Sequence, residues 1–397
     1  MQNTKKGTTA IAAGILSLFL ISFGISYIQV ILPGLYAHFS DLSPATVMYT
    51  MSIAPGTGIL GGLICGLLVS RRLVGYRPLA ILGTVMFFVG GTMPAFIHEF
   101  WAILLFRAIL GWGMGSMSVL ANPLITAFFE GDSQTRILSI GTATAQIGAM
   151  LMQLTAGFLA DINMWYAFAA DALALLSIFG AIFLLKEPSK EDLPTMKMEK
   201  GALPARVWYV AGISLLATLS LCPLLFNFSV FTLKFTDSMF LASTVQVTYT
   251  IGMIIGGFIF MFTYKFFKRR IFAVGTILLA IGIAIYITAP AFALLYVGFF
   301  IAGLGYATVL TALLKAVAVI VKPSLIAFAT AIVMTALQSA TFLVSPCLSL
   351  IEVFGGDVIY MPIWISIGIF IVMAVITGAA SPFPKGSGAE TESPVAE

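Results

Sequence analysis

The chain alternates long apolar stretches with short polar breaks. Apolar segments fall at 9–34, 44–69, 77–97, 100–128, 137–160 and 164–185. After a polar stretch they resume at 207–232, 242–264, 271–290, 292–314, 324–350 and 358–379. About 20 apolar residues suffice to cross the hydrocarbon core of a bilayer as a helix. Each segment meets that length or approaches it, so the pattern predicts an all-α polytopic membrane protein with twelve transmembrane helices. The first segment is too long for the core of a signal peptide, and no small-residue cleavage site follows it. It is expected to be a retained span.

The polar stretch divides the twelve segments into two groups of six. The expected organisation is a six-helix half over 1–186, a cytoplasmic linker over 187–206, a second six-helix half over 207–380 and a disordered tail over 381–397. The linker carries Pro188, Pro194 and Pro204 among mixed charges, and the tail is rich in Gly, Ser, Pro and Glu. The halves echo each other. Val47-Met48-Tyr49-Thr50-Met51 opens the second segment and Val247-Thr248-Tyr249-Thr250-Ile251 opens the eighth. Gly61-Gly62 and Gly256-Gly257 follow, and both segments run into basic loops, Ser70-Arg71-Arg72 and Lys265 to Arg270. Duplicated halves around a midplane site are a transporter architecture.

Composition agrees with this pattern. The chain has 397 residues, of which 60% are hydrophobic and 9% charged, against about 25% charged in a soluble domain. Mean hydropathy is +1.07. The net charge of +4 comes from cations scattered through short loops, which excludes a nucleic-acid surface. Their placement fixes an expected orientation. With the N-terminus inside, 18 of the 20 cations lie in inner loops and termini, including Lys5, Lys6, Arg71, Arg72, Arg77, Arg136, Lys186, Arg206 and Lys265. The outer loops hold only Lys234, and Arg107 lies within a span. Both termini are therefore expected in the cytoplasm, in the inner membrane of a prokaryote. Trp101 and Trp165 fall at outer interfaces and Trp208 at an inner one, as in an aromatic belt.

Cys65, Cys222 and Cys347 sit in apolar segments and read as small buried side chains. No His, Cys or carboxylate cluster has metal spacing, and His38 and His98 stand alone near loop ends. There is no phosphate loop and no nucleophile constellation. The expectation is a protein that is not an enzyme and has no cofactor or metal. Expected partners are a small-molecule substrate, protons as coupling ion and the lipid bilayer, with a monomeric state.

The chemistry concentrates in Arg107-Ala108-Ile109-Leu110-Gly111-Trp112-Gly113-Met114-Gly115. An arginine in a bilayer costs roughly 2.5–3.5 kcal/mol on insertion scales, so it faces protein or water. Gly111 and Gly115 leave a groove for another helix or a ligand. Arg107-x3-Gly111-x3-Gly115 resembles the fourth-helix motif of the major facilitator superfamily, and the resemblance extends over all twelve spans. After the second span that family carries Gly-x3-Asp-Arg-x-Gly-Arg. Here Gly66, Arg71, Gly75 and Arg77 are present, but Ser70 replaces the Asp and two extra residues separate Arg71 from Gly75. Ile31-Leu32-Pro33 and Ser43-Pro44-Ala45 are similar to the family's twelve-helix drug and metabolite exporters. The fifth span lacks the antiporter Gly-Pro pair, and the first span lacks an acid. The resemblance implies alternating access by two rocking halves, with the first, fourth, seventh and tenth spans lining a cavity. By it Tyr27, Gln29, Gly111, Gly115, Asn227 and Tyr306 are cavity-lining candidates.

Apart from Arg107, the ionisable residue well inside a span is Asp171. Both lie about 10 Å below the outer edge at 1.5 Å per residue, so a pair is possible. Three readings stand open. Arg107 pairs with Asp171, giving a substrate or coupling site; it binds an anionic substrate; or it braces backbone carbonyls. The further polar residues within spans are Gln29, Asn122, Gln146, Gln153, Asn227, Gln246 and Gln338. The reading is a secondary transporter that exports or exchanges an amphipathic metabolite or drug. The alternative is uptake or exchange of a small organic anion bound by Arg107. A remote alternative is a non-transporting membrane sensor.

Overall fold

In a computed structural model, the described residues are 9–22, 24–189, 203–322 and 325–383. They form helices and no strand. Lys5, Lys6, most of the linker and the tail beyond 383 lie outside them. Ten helical stretches among the described residues are long and apolar enough to cross a membrane. One of these, Met239–Ile287, spans 49 residues. It contains two helices joined by a 3-10 turn at Lys268–Arg270. With the broken first segment, the helical order follows the twelve apolar segments.

That first segment is not one helix. The chain forms α1 (Thr9–Leu20), a 3-10 helix (Gly24–Ile31) and α2 (Leu32–His38). The break has local causes. The Ser22 hydroxyl donates to the Leu18 carbonyl at 3.2 Å, and Gly24 follows, a poor residue for a helix interior. Ser22 and Gly24 N–H groups bond three residues back, to Phe19 and Ile21, which tightens the turn.

After the single turn α3 (Pro44–Val47) come α4 (Tyr49–Ser70), α5 (Tyr76–Thr92), α6 (Phe100–Phe128) and α7 (Gly131–Ile162). A 3-10 stretch (Met164–Leu173) leads into α8 (Ala174–Phe179). The later helices are α9 (Ala205–Thr232), α10 (Met239–Phe267), α11 (Ile271–Ile287), α12 (Phe292–Ile320), α13 (Ile326–Val353) and α14 (Met361–Ala379).

Contacts divide the chain into two units. The first comprises Met1–Met196, Leu225–Val247 and Thr341–Val358, and the second Lys197–Leu224, Thr248–Ala340 and Ile359–Glu397. The first unit thus holds the opening half of the chain together with parts of α9, α10 and α13. In the second unit Tyr286 packs on Phe299 with ring centroids 4.3 Å apart. There too Lys315 sits with its Nζ 3.3 Å from the Tyr264 ring centroid, near the basic turn that ends α10.

Within the first unit, α4 and α6 run parallel and in register. Arg107, Gly111 and Gly115 form one stripe of α6, four residues apart. Their counterparts on α4 are Thr50, Ala54 and Gly58, also four apart. A Cβ on Gly111 would strike the Ala54 carbonyl, and one on Gly115 the Gly58 backbone. The Thr57 hydroxyl donates to the Ala108 carbonyl at 2.9 Å across the same seam. Small residues let backbones approach where no hydrophobic force separates helix from lipid.

Trp101 and Trp208 are well exposed, as a belt requires. Trp165 departs from expectation, being only 8% exposed. It stacks on His98 at 4.0 Å and on Phe168 at 6.2 Å, and meets His38 edge-on. A packed aromatic cluster encloses its ring, and neither histidine stands alone.

The α4–α6 seam predicts a sharp contrast. Gly115→Val overpacks it and should cost about 1–3 kcal/mol, lowering the apparent Tm in detergent by about 1–4 °C. Gly257→Ala, where a Cβ meets nothing within 4 Å, should leave that Tm unchanged.

Candidate functional site

Arg107 is fully buried, as are Tyr27 and Asp171. The three come from different elements of the first unit. Arg107 rides on α6, one turn ahead of Gly111. Its Nε donates to the Thr50 carbonyl of α4 at 3.2 Å. Tyr27 lies in the 3-10 helix of the first segment, and Asp171 in the 3-10 stretch before α8.

The tyrosine joins the two charges. Its hydroxyl donates to Asp171 Oδ2 at 2.5 Å, and it interacts with the Arg107 guanidinium as well. Arg107 Cζ lies 5.8 Å from the Tyr27 ring centroid, inside cation–π range. Phe168, one turn before Asp171, meets the Tyr27 ring edge-on at 6.4 Å. The Arg107 charge also acts on the Asp171 carboxylate electrostatically. Asp171 Oδ1 is buried and accepts no hydrogen bond among the described residues.

Space for the carboxylate is provided by Gly91 on α5. A Cβ there would collide with Asp171 Oδ2. Asp171 is fully buried, and the Tyr27 hydroxyl is its partner there. Arg107 and Asp171 thus both adjoin Tyr27 in a three-residue cluster. Tyr27 is a cavity-lining candidate that instead stands between the charges. Gly111 and Gly115 serve the helix seam with α4.

Of the other candidates, Gln29 is bonded to Gln246, and its carbonyl accepts from the Ser229 hydroxyl at 2.7 Å. Asn227 is buried and its Oδ1 accepts from the Tyr36 hydroxyl at 3.0 Å. Tyr306 lies in the second unit, half-buried, with its hydroxyl 3.5 Å from that of Thr218.

The loop after α4 departs from the expected motif in an instructive way. Arg71 and Arg77 are exposed, and a Cβ on Gly66 would make only ordinary contact with Val119. The Ser70 hydroxyl is used within its own helix, on the Leu67 carbonyl. A carboxylate does reach this loop, from Glu187. It accepts from the N–H groups of Tyr76 and Arg77 at 2.7 and 2.8 Å, capping the N-terminus of α5. Gly75 leaves room for it, and Arg77 donates to the Ile182 carbonyl at 2.6 Å.

Known proteins resemble this chain in sequence and in fold. The Major Facilitator Superfamily profile matches residues 14–240, more than half of the chain. The chain belongs to the Major Facilitator Superfamily. A D-xylose transporter of Levilactobacillus brevis is 32% identical over 128 residues, covering 31% of this chain and 28% of that protein. A cephamycin export protein of Amycolatopsis lactamdurans is 30% identical over 223 residues, covering 54% and 43% respectively. The chain therefore spans less than half the length of these curated relatives. The xylose transporter of E. coli, solved in an inward-open conformation, superposes with a TM-score of 0.72 at 17% identity. That match covers 95% of this chain and 96% of the other, and confirms the fold of twelve-helix superfamily transporters.

The cluster predicts an unequal mutant series. Arg107→Ala strands a buried carboxylate and should cost about 3–5 kcal/mol. Asp171→Asn combined with Arg107→Ala should recover part of that loss, and Tyr27→Phe should cost about 1.5–3 kcal/mol. Apparent Tm values of wild type, Arg107→Ala, Asp171→Asn and the double variant, compared as a double-mutant cycle, check the coupling. Strict additivity would show that the residues do not act together.

Proposed function

We propose that this protein is a secondary transporter that moves a small organic solute by alternating access, with Asp171 as its proton-responsive group. The observation that carries the reading is the Tyr27 hydroxyl bonded to Asp171 beside buried Arg107. A carboxylate in this dry setting has two ways to avoid an uncompensated charge. It can lean on Arg107 and Tyr27, or it can take up a proton. The second releases Tyr27 as an obligatory donor and loosens the first segment from the 3-10 stretch that carries Asp171. Proton binding is thereby tied to a contact between helices, which is what coupling requires. The halves 1–186 and 207–380 are the moving bodies of this reading.

Export or exchange of an amphipathic metabolite or drug fits better than capture of an organic anion. Arg107 is fully buried and already engaged by a backbone carbonyl and an aromatic face, which leaves its guanidinium poorly placed as an open anion clamp. Among the relatives, the cephamycin exporter and a multidrug efflux pump of Staphylococcus aureus align over 54% and 59% of this chain. The setting proposed is a prokaryotic plasma membrane with both termini inside.

Proteoliposomes test the reading. Vesicles under an imposed pH gradient should accumulate a cephamycin-type β-lactam or ethidium, and D-xylose serves as the comparison. Asp171→Asn should keep downhill exchange of the same compound and lose gradient-driven accumulation. Accumulation by Asp171→Asn at the wild-type level would remove Asp171 from coupling. Saturable uptake of a simple carboxylate, abolished by Arg107→Ala, would favour the anion reading instead.

A further inference from the structure

Within the first unit, one end of the helices carries few cations, and there parts of α9, α10 and α13 pack against the opening half of the chain. Several of the joining contacts are neutral. The Ser52 hydroxyl donates to that of Ser345 at 2.7 Å, Tyr36 donates to Asn227, Ser229 to the Gln29 carbonyl, and Gln29 and Gln246 bond each other. Asp161, in the last turn of α7, brings a charge to this set.

The Asp161 carboxylate takes up the start of α10. Its Oδ1 accepts from the Met239 N–H at 2.5 Å, and its Oδ2 from the Phe240 N–H at 3.3 Å and the Ser238 hydroxyl at 2.7 Å. A helix begins with four N–H groups that have no partner inside it. Here all four are satisfied. Leu241 donates to the Ser238 side chain at 3.2 Å and the Ser238 N–H to the Thr236 hydroxyl at 3.2 Å, so Asp161 takes the remaining two, Met239 and Phe240. A carboxylate at this position also meets the positive end of the helix dipole. One turn back on the same face of α7, Gly157 lets the two helices approach. A Cβ there would lie 2.5 Å from the Ser243 hydroxyl oxygen and 2.9 Å from the Met239 carbonyl oxygen. Gly157 and Asp161 thus form a docking strip for a helix that lies across the linker in sequence.

We propose that Asp161 is a positioning residue for the transport cycle: its carboxylate latches the α10 N-terminus onto α7 and lets go when this end of the protein opens. Asp161 is exposed, so water replaces α10 as its partner on release, and Ser238 remains to cap the freed helix. The latch is independent of Asp171, which lies on another element.

Thiol labelling tests it. Ser345→Cys, introduced with Cys65, Cys222 and Cys347 replaced by alanine, reports opening of the contact, because Ser345 is fully buried against Ser52. Asp161→Asn and Asp161→Ala should raise its rate of reaction with a polar maleimide by about tenfold, the scale of one charge-assisted cap. Asp161→Glu should stay within a few-fold of wild type. Native Cys65, buried between α4 and α6, reports general loosening in a second protein that lacks the Ser345 change. Its rate should not move. Equal acceleration at both cysteines would make Asp161 a stabilising residue without a gating role. No acceleration at Ser345→Cys, in variants that fold with the wild-type Tm, would also overturn the proposal.

Discussion

A charge in a bilayer has to be housed, and Arg107 sets the terms for the first unit. Its side chain can be dry only if carbonyls, aromatic faces and a carboxylate surround it. The parallel seam of α4 and α6 brings the Thr50 carbonyl within reach because Gly111 and Gly115 carry no side chain. The broken first segment brings Tyr27, and the 3-10 stretch before α8 brings Asp171. Each of these features is poor local structure taken alone. Glycines weaken helices, and 3-10 turns bond less well than α-helices. Around one buried arginine they become mutually necessary.

Much of this was legible in the chain. The twelve apolar segments and the wish of two buried charges to meet follow from length, hydropathy and the cost of desolvation. What was hidden is the identity of the mediator. A tyrosine in an apolar span reads alike whether it lines a cavity, packs a core or bridges two charges, and only the break at Ser22 and Gly24 turns Tyr27 toward Asp171. Trp165 shows the same ambiguity: its place at a segment end suggested lipid headgroups, while His98 and Phe168 claim it. Glu187 was read as the start of a linker, since nothing local marks a carboxylate that caps a helix over a hundred residues away.

Two kinds of charged contact emerge, and their surroundings separate them. Arg107 and Asp171 sit where no water can take over a lost partner, so separating them is expensive unless a proton neutralises the acid first. Asp161 sits where water is at hand, so its bonds to α10 exchange for solvation at small net cost. The buried cluster is therefore suited to hold until a chemical event changes its charge. The exposed cap is suited to break and remake on thermal motion alone. Under the proposed alternating access the two are complementary, one contact deciding when the halves move and the other cheap enough not to prevent the movement.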